Sequence, residues 1–189
     1  MDFVEKTLHS DKVFAGKIMS VRVDTVLLPD GKQSTREIVE HNGAVAVVAV
    51  DSEGAVYLVR QFRKPVEEVL LEIPAGKLEP GEDPLECARR ELLEETGLVA
   101  RDWTRVFRYY STPGFTSEVV HVYVARDVEQ HAAAPESDEF LEVVKMPLDE
   151  AYEKVIDGTI KDGKSIVAIQ HLVLDGRRES VSKDRGEGL

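Results

Sequence analysis

Glu91, Glu94 and Glu95 stand at i, i+3 and i+4, a spacing that puts three carboxylates on one face of a helix. Like charges so spaced destabilise an isolated helix, and these crowd its C-terminal end, where the macrodipole disfavours anions. Rules broken three times within one turn are expected at sites that are compensated from elsewhere. A divalent cation is the natural compensation: Mg2+ takes hard oxygen ligands, keeps several waters and is shared with substrate phosphates. The bland alternative is a solvated, salt-bridged helix, which Arg90, four residues from both Glu86 and Glu94, supports in part. Against it, Asp83-Pro84 and Gly97 frame a short helix between loops, and Leu71-Glu72-Ile73-Pro74-Ala75-Gly76 leads a strand straight into it.

The elements that must position these acids follow from patterning. Asp83 suits the N-cap of a helix over Pro84 to Thr96, Pro84 suits its first position, Glu86 completes a capping-box-like pair and Gly97 suits its end. Leu85, Ala88 and Leu92 give that helix a buried face. Gly43 to Val50 is a continuous apolar run, as in a strand buried on both faces. Asp51 to Gly54 turns it into Val56 to Phe62, and further strands are expected over 69–73, 103–110, 117–126 and 140–146. Two more helices are expected, over 149–157 and from a capping Ser165 to about Leu174, closed by Gly176. Val13 to Met19, Val21 to Leu28 and, after the Pro29–Lys32 turn, Thr35 to His41 read as an N-terminal antiparallel sheet. Residues 127–139 read as a surface loop and the tail after Asp175 as polar and frayed. The expected fold class is α/β (α+β), organised as an N-terminal sheet over 1–42, a main domain over 43–175 and a tail over 176–189.

Composition bounds the function. The 189 residues carry 36 acidic and 24 basic side chains, a formal net charge of −12. That balance argues against a general nucleic-acid or anionic-membrane binder, but not against a phosphate substrate whose site recruits cations. Cys87 is the only cysteine, so an intrachain disulfide and a cysteine zinc cluster are both ruled out. The five histidines show no metal-ligand spacing, no apolar run approaches a membrane span, and the N-terminus lacks signal-peptide order. A soluble cytoplasmic protein is expected.

Gly76, Glu82, Arg90-Glu91-Leu92, Glu94-Glu95, Gly97 and Leu98 fill the fixed positions of the Nudix box, and the chain is identified on them as resembling the Nudix hydrolases. The resemblance implies a mixed β-sheet sandwiched between helices and hydrolysis of a nucleoside diphosphate linked to another moiety. It implies metal roles for Glu91 and Glu95, with Glu94 close by, and for the backbone carbonyl of Ala75. Arg90 would hold the glutamates by charge-assisted hydrogen bonds, and Glu82 resembles the loop-anchoring or metal-linked acid. Mg2+, or Mn2+, is the implied cofactor.

Ser111-Thr112-Pro113-Gly114-Phe115-Thr116-Ser117-Glu118 narrows the resemblance, with Pro113 sixteen residues after Gly97. A Pro-Gly pair also simply makes a turn. At this offset the loop is similar to that of the ADP-ribose pyrophosphatase subgroup. Arg36 to His41 and Arg60 to Arg63 resemble the subgroup's arginine-bearing segments, which implies that Arg36, Arg63, Gly114 and Glu118 meet the substrate. Guanidinium suits this by its planar donors and stacking face, although each arginine could instead be a surface ion pair. Glu72 reads either as a strand-edge surface acid or as a site residue, and Glu118 shares that ambiguity. Phe3 and Phe14 both remain candidates to stack on the adenine.

What the resemblance implies in mechanism is hydrolysis of ADP-ribose to AMP and ribose 5-phosphate. The general base in similar enzymes is a loop glutamate before the last strand, here Glu139 first and Glu136 second. Another sugar nucleotide or a dinucleotide is the alternative substrate, and a non-catalytic ligand-sensing module a more distant one. Similar enzymes are homodimers with exchanged N-terminal strands.

Overall fold

The computed structural model describes residues 3–133 and 140–186, with side chains described as far as Gly176. An antiparallel three-stranded sheet, in spatial order β1-β2-β3, is built from β1 (Lys6–Ala15), β2 (Met19–Leu27) and β3 (Gln33–His41). Its break falls at Gly16–Ile18, so Val13 to Met19 is not one strand as expected but the end of β1, a tight turn closed by Gly16 N–H on Met19 O at 2.9 Å, and the start of β2.

Among the described residues the main sheet has seven strands. They are β4 (Ala44–Val50), β5 (Ala55–Arg63), β6 (Glu68–Glu72), β7 (Ala75–Lys77), β8 (Leu98–Tyr110), β9 (Val119–Gln130) and β10 (Leu141–Pro147). The order is β10-β5-β4-β9-β8, with β6 on β5 and β7 on β4. Among the described residues of this sheet only β4 and β9 pair in parallel, so the sheet is mixed.

Helices cover both faces. Val45, Val47 and Ala49 of β4 pack with Cys87, Ala88 and Leu92 of α1 (Pro84–Thr96). Ala46 and Val48 point the other way, into a core shared with Ala151 of α2 (Leu148–Ile156) and Ala168, Ile169 and Leu172 of α3 (Gly163–Gly186). This is why the GAVAVVAV run is apolar at every position: alternate side chains enter two different cores. The sandwich is the fold class expected.

Local details differ from expectation for identifiable reasons. Asp83 caps α1 through Oδ1, accepting from Leu85 N–H at 2.9 Å and Glu86 N–H at 3.3 Å, but Glu86 bonds Arg89 rather than completing a capping box. Gly97 closes the helix at φ 71°, and a Cβ there would meet His131 O at 2.4 Å. Asp162, not Ser165, caps α3, accepting from the Ser165 amide at 3.0 Å. Ser165 Oγ is fully buried and instead joins Asp162 to the Ile73 amide, 2.8 Å away, at the end of β6. The helix passes through Gly176 to Gly186, where a frayed tail is expected, because glycine permits a helical backbone even though it weakens it. Likewise β8 starts at Leu98, directly after α1, and β9 extends to Gln130 into the expected loop.

Candidate active site

A cleft of about 600 Å3 is lined from the starts of β4 and α3, from β7 and from α1. Ala75, Gly76, Glu91 and Glu95 form one wall, Arg63, Asp162 and Lys164 another, and Tyr109, Ser111, Thr112 and Glu118 a third. The cleft thus gathers Ala75, Glu91, Glu95, Arg63 and Glu118 from the residues singled out in the sequence.

The two box glutamates that face the cleft are almost wholly buried, Glu91 at 8% and Glu95 at 2% exposure. They share an i, i+4 stripe of α1 with Cys87, beside the apolar stripe of Ala88 and Leu92. Glu95 Oε2 accepts the Ala75 amide at 3.0 Å, which ties α1 to the start of β7. Glu91 lies against Gly76 so closely that a Cβ on that residue would meet its carboxyl carbon at 1.8 Å. A side chain at position 76 would therefore have to push the Glu91 carboxylate aside; the constraint is close approach, not an unusual backbone angle.

Arg90, next to Glu91 on the same helix, engages three carboxylates. It donates through Nη1 to Glu91 at 2.8 Å and Glu94 at 3.0 Å, and through Nε to Glu82 at 3.1 Å. Glu82 also accepts the Glu79 amide at 2.9 Å, so this acid anchors the loop ahead of α1. Burial disfavours the Arg90 charge, yet the bond to Glu82 and the charge of Glu91 raise its pKa above the ordinary value. Glu82 and Glu94 thus sit behind Glu91 in the network rather than on the cleft wall.

Glu91 and Glu95 suit a hard divalent cation. Among the described residues no three His, Cys, Asp or Glu side chains converge as a metal cluster. The donor set is two buried carboxylates lining an open cleft with the Ala75 backbone beside Glu95, which is the sparse set Mg2+ uses when substrate phosphates and waters complete its shell.

Arg63 pairs with Glu72 through both Nε at 2.7 Å and Nη2 at 2.8 Å. The pair is neither of the two surface forms considered, because Glu72 is 1% exposed. Burial would push the Glu72 carboxyl up, but the bonds from Arg63 and the charge and bond of Lys164 hold it below the ordinary range. Tyr109 is pushed up to about 12 by burial and by the carboxylates of Asp162 and Glu118, so its phenol stays a donor. Tyr109, Asp162 and Lys164 escaped sequence reasoning. The usable signal was the Lys-Asp-Gly-Lys-Ser run at a helix start, which joins a cap to two cations.

The remaining candidates lie elsewhere. Arg36 pairs with Glu5, Nε to Oε2 at 2.9 Å, away from the cleft lining. Gly114 occupies the exposed turn between Thr112 and Phe115, closed by Phe115 N–H on Thr112 O at 3.2 Å, while its neighbours Ser111 and Thr112 reach the cleft. That loop is held by β3: the Val39 amide donates to Phe115 O at 2.8 Å and the Ser117 amide to Val39 O at 3.0 Å. The N-terminal sheet therefore shapes the cleft through the loop. Phe14 is half exposed on β1 and Phe3 more so. Glu136 and Glu139 lie outside the described residues.

Comparison with known proteins agrees with this geometry. The NUDIX domain family matches residues 40–167, and the nucleoside diphosphate sugar hydrolase N-terminal domain family matches residues 5–39. The chain is 46% identical over 172 residues to a protein of Bacillus subtilis (strain 168) named ADP-ribose pyrophosphatase, covering 90% of this chain and 93% of that one. It is 43% identical over 174 residues to a methanol dehydrogenase activator of Bacillus methanolicus, covering 91% and 94%. A crystal structure described as ADP compounds hydrolase superposes with a TM-score of 0.81 over 100% of this chain and 98% of that one, at 23% identity, which shows a shared fold. With Gly76, Glu91 and Glu95 of the box lining the cleft and the domain match spanning most of the sequence, the chain belongs to the Nudix hydrolase family.

Proposed function

We propose that the cleft hydrolyses the pyrophosphate of ADP-ribose to AMP and ribose 5-phosphate. The observation that carries this is that two buried acids, Glu91 and Glu95, line the same open cleft as Arg63: the acids suit a cation and the guanidinium a phosphate. The Bacillus subtilis relative, named ADP-ribose pyrophosphatase, supports the choice of substrate.

Nudix hydrolases generally use divalent metals. When bound by Glu91, Glu95 and the Ala75 carbonyl, Mg2+, or Mn2+ in its place, supplies Lewis-acid charge that neutralises the phosphates. Arg90 holds Glu91 in register and is held in turn by Glu82 and Glu94. Arg63 presents its guanidinium to a phosphate oxygen, and the protonated Tyr109 and the Glu118 carboxylate bind polar groups of the sugar. A water oxygen forms a new bond to one phosphorus as the bond from that phosphorus to the bridging oxygen breaks. Glu139 takes the proton from the water, with Glu136 as the second candidate.

The proposal extends to a cytoplasmic homodimer with exchanged N-terminal strands, in which Arg36 and either Phe3 or Phe14 reach the adenine and Gly114 lets the loop approach the substrate. Exposure along the whole of β1 supports a surface that a second chain covers. The domain limits of 1–42, 43–175 and 176–189 belong to the same proposal. A sugar nucleotide substrate is the second reading, favoured by the N-terminal domain match.

The test is a panel of ADP-ribose, GDP-mannose and NADH with Mg2+ or EDTA, products being identified by chromatography. AMP and ribose 5-phosphate from ADP-ribose, abolished by EDTA, are expected. Faster cleavage of GDP-mannose would move the assignment to the second reading.

A further inference from the structure

The surroundings of Arg63 in the cleft are built from two strands and a helix start. Strand register puts Arg63 opposite Glu68, and Glu72 opposite Val59, so nothing in the β5–β6 pairing brings Arg63 and Glu72 together. The Arg63 side chain must run back along its strand to make its two bonds. It reaches Glu72 at a carboxylate that is buried, where water cannot substitute cheaply for a missing donor.

A third donor comes from α3. Lys164 Nζ bonds Glu72 Oε2, the oxygen that Arg63 Nη2 already uses, and also bonds Asp162 Oδ1 at 3.1 Å. Asp162 caps α3, and Ser165 ties that cap to the Ile73 amide beside Glu72. The plane of the Glu72 carboxylate is therefore set jointly from β5 and from α3, and the plane of the Arg63 guanidinium follows it, because the pair is bidentate.

We infer that Lys164 is a positioning residue for substrate binding: acting through Glu72, it orients the guanidinium of Arg63 toward the phosphate-binding side of the cleft. The inference rests on the proposal that Arg63 meets the substrate. Arg63 and Lys164 are balanced by Glu72 and Asp162, so the quartet brings no net charge. What it contributes is direction. Without Lys164, the Glu72 carboxylate keeps one partner and can rotate with it, and Arg63 loses its fixed aim.

A double-mutant cycle tests this. The full-length wild type, Lys164→Met, Arg63→Ala and the double variant are compared by kcat/KM for ADP-ribose with Mg2+, and by Kd for ADP-ribose in EDTA, where no turnover interferes. Lys164→Met is expected to lower kcat/KM about tenfold, mainly through KM, and to cost little or nothing further once Arg63 is alanine, as for residues in one hydrogen-bonded network. Lys164→Arg, which keeps a cation, should recover most of the loss, and Glu72→Gln should reproduce it if Lys164→Met folds poorly. Equal losses from Lys164→Met in both backgrounds, or no loss in either, would overturn the inference while leaving the proposed reaction intact. A wild type that neither binds nor cleaves ADP-ribose would retire the proposed substrate, and the inference with it.

Discussion

Glu91 packs its carboxyl group against the Cα of Gly76, at a point where a Cβ would lie 1.8 Å away. The two residues are fifteen apart in sequence and meet because the Glu95 bond to the Ala75 amide clamps α1 onto the start of β7. Gly76→Ala must therefore displace the Glu91 carboxylate. We expect kcat/KM to fall about 10²-fold, the scale of a one-ångström misplacement at a reacting centre. The circular dichroism spectrum should be unchanged. Near-normal turnover in a folded Gly76→Ala protein would show that the close approach is not needed.

Glu95→Gln keeps the size of the side chain, and its amide oxygen can still accept the Ala75 N–H, so the fold should persist. Loss of the charge should lower turnover by about 10² to 10³ at fixed Mg2+, as for loss of one preorganised electrostatic group. Mn2+ binding followed by electron paramagnetic resonance should weaken in parallel. Full activity together with unchanged Mn2+ affinity would remove Glu95 from the metal site.

Glu139→Gln should leave folding intact and reduce kcat by about 10²-fold or more, the usual share of a general base. Glu136→Gln should have a smaller effect. If both single variants and the double variant keep near-normal turnover, the proton goes elsewhere.

Glu72 also predicts a pH dependence of stability. Burial would raise its pKa, but the bonds and charges of Arg63 and Lys164 hold the folded value below the ordinary 4.5. A depressed carboxylate pKa stabilises the fold above the unfolded value, and that contribution is lost as pH falls from about 4.5 through the folded value. Urea unfolding of the wild type and of Glu72→Gln should therefore differ most near neutrality and converge as the pH falls below 4.5 and through the lowered folded value. A difference that is constant across that range would contradict the assignment.

Much of the fold was legible because its signals are local. The double-sided apolar run of β4, the Asp83-Pro84 start and Gly97 stop of α1, and the Pro29–Lys32 turn each depend on a few neighbouring residues. The misread places are those where a distant partner overrides the local preference. Ser165 is a good helix cap by type, but Asp162 caps the helix and the serine hydroxyl serves the Ile73 amide across the fold. Glu86 has the right spacing for a capping box, yet Arg89 takes its carboxylate.

The candidate site divides in the same way. Glu91 and Glu95 were legible because three acids at the wrong end of a helix violate helix electrostatics, and that violation is written in adjacent residues. The order of the box residues also determined by itself which family the chain resembles. Tertiary structure decided how those residues divide the work: Glu91 and Glu95 face the cleft, while Glu82 and Glu94 turn to Arg90. It alone brought Lys164 and Asp162 to Glu72, about ninety residues away in sequence, and left Arg36 on Glu5 instead of at the cleft. The physical reason is range. Capping, turns and charge repulsion act over one helical turn and leave a sequence pattern, whereas a buried ion pair between β6 and α3 exists only once the sheet and its covering helix have packed.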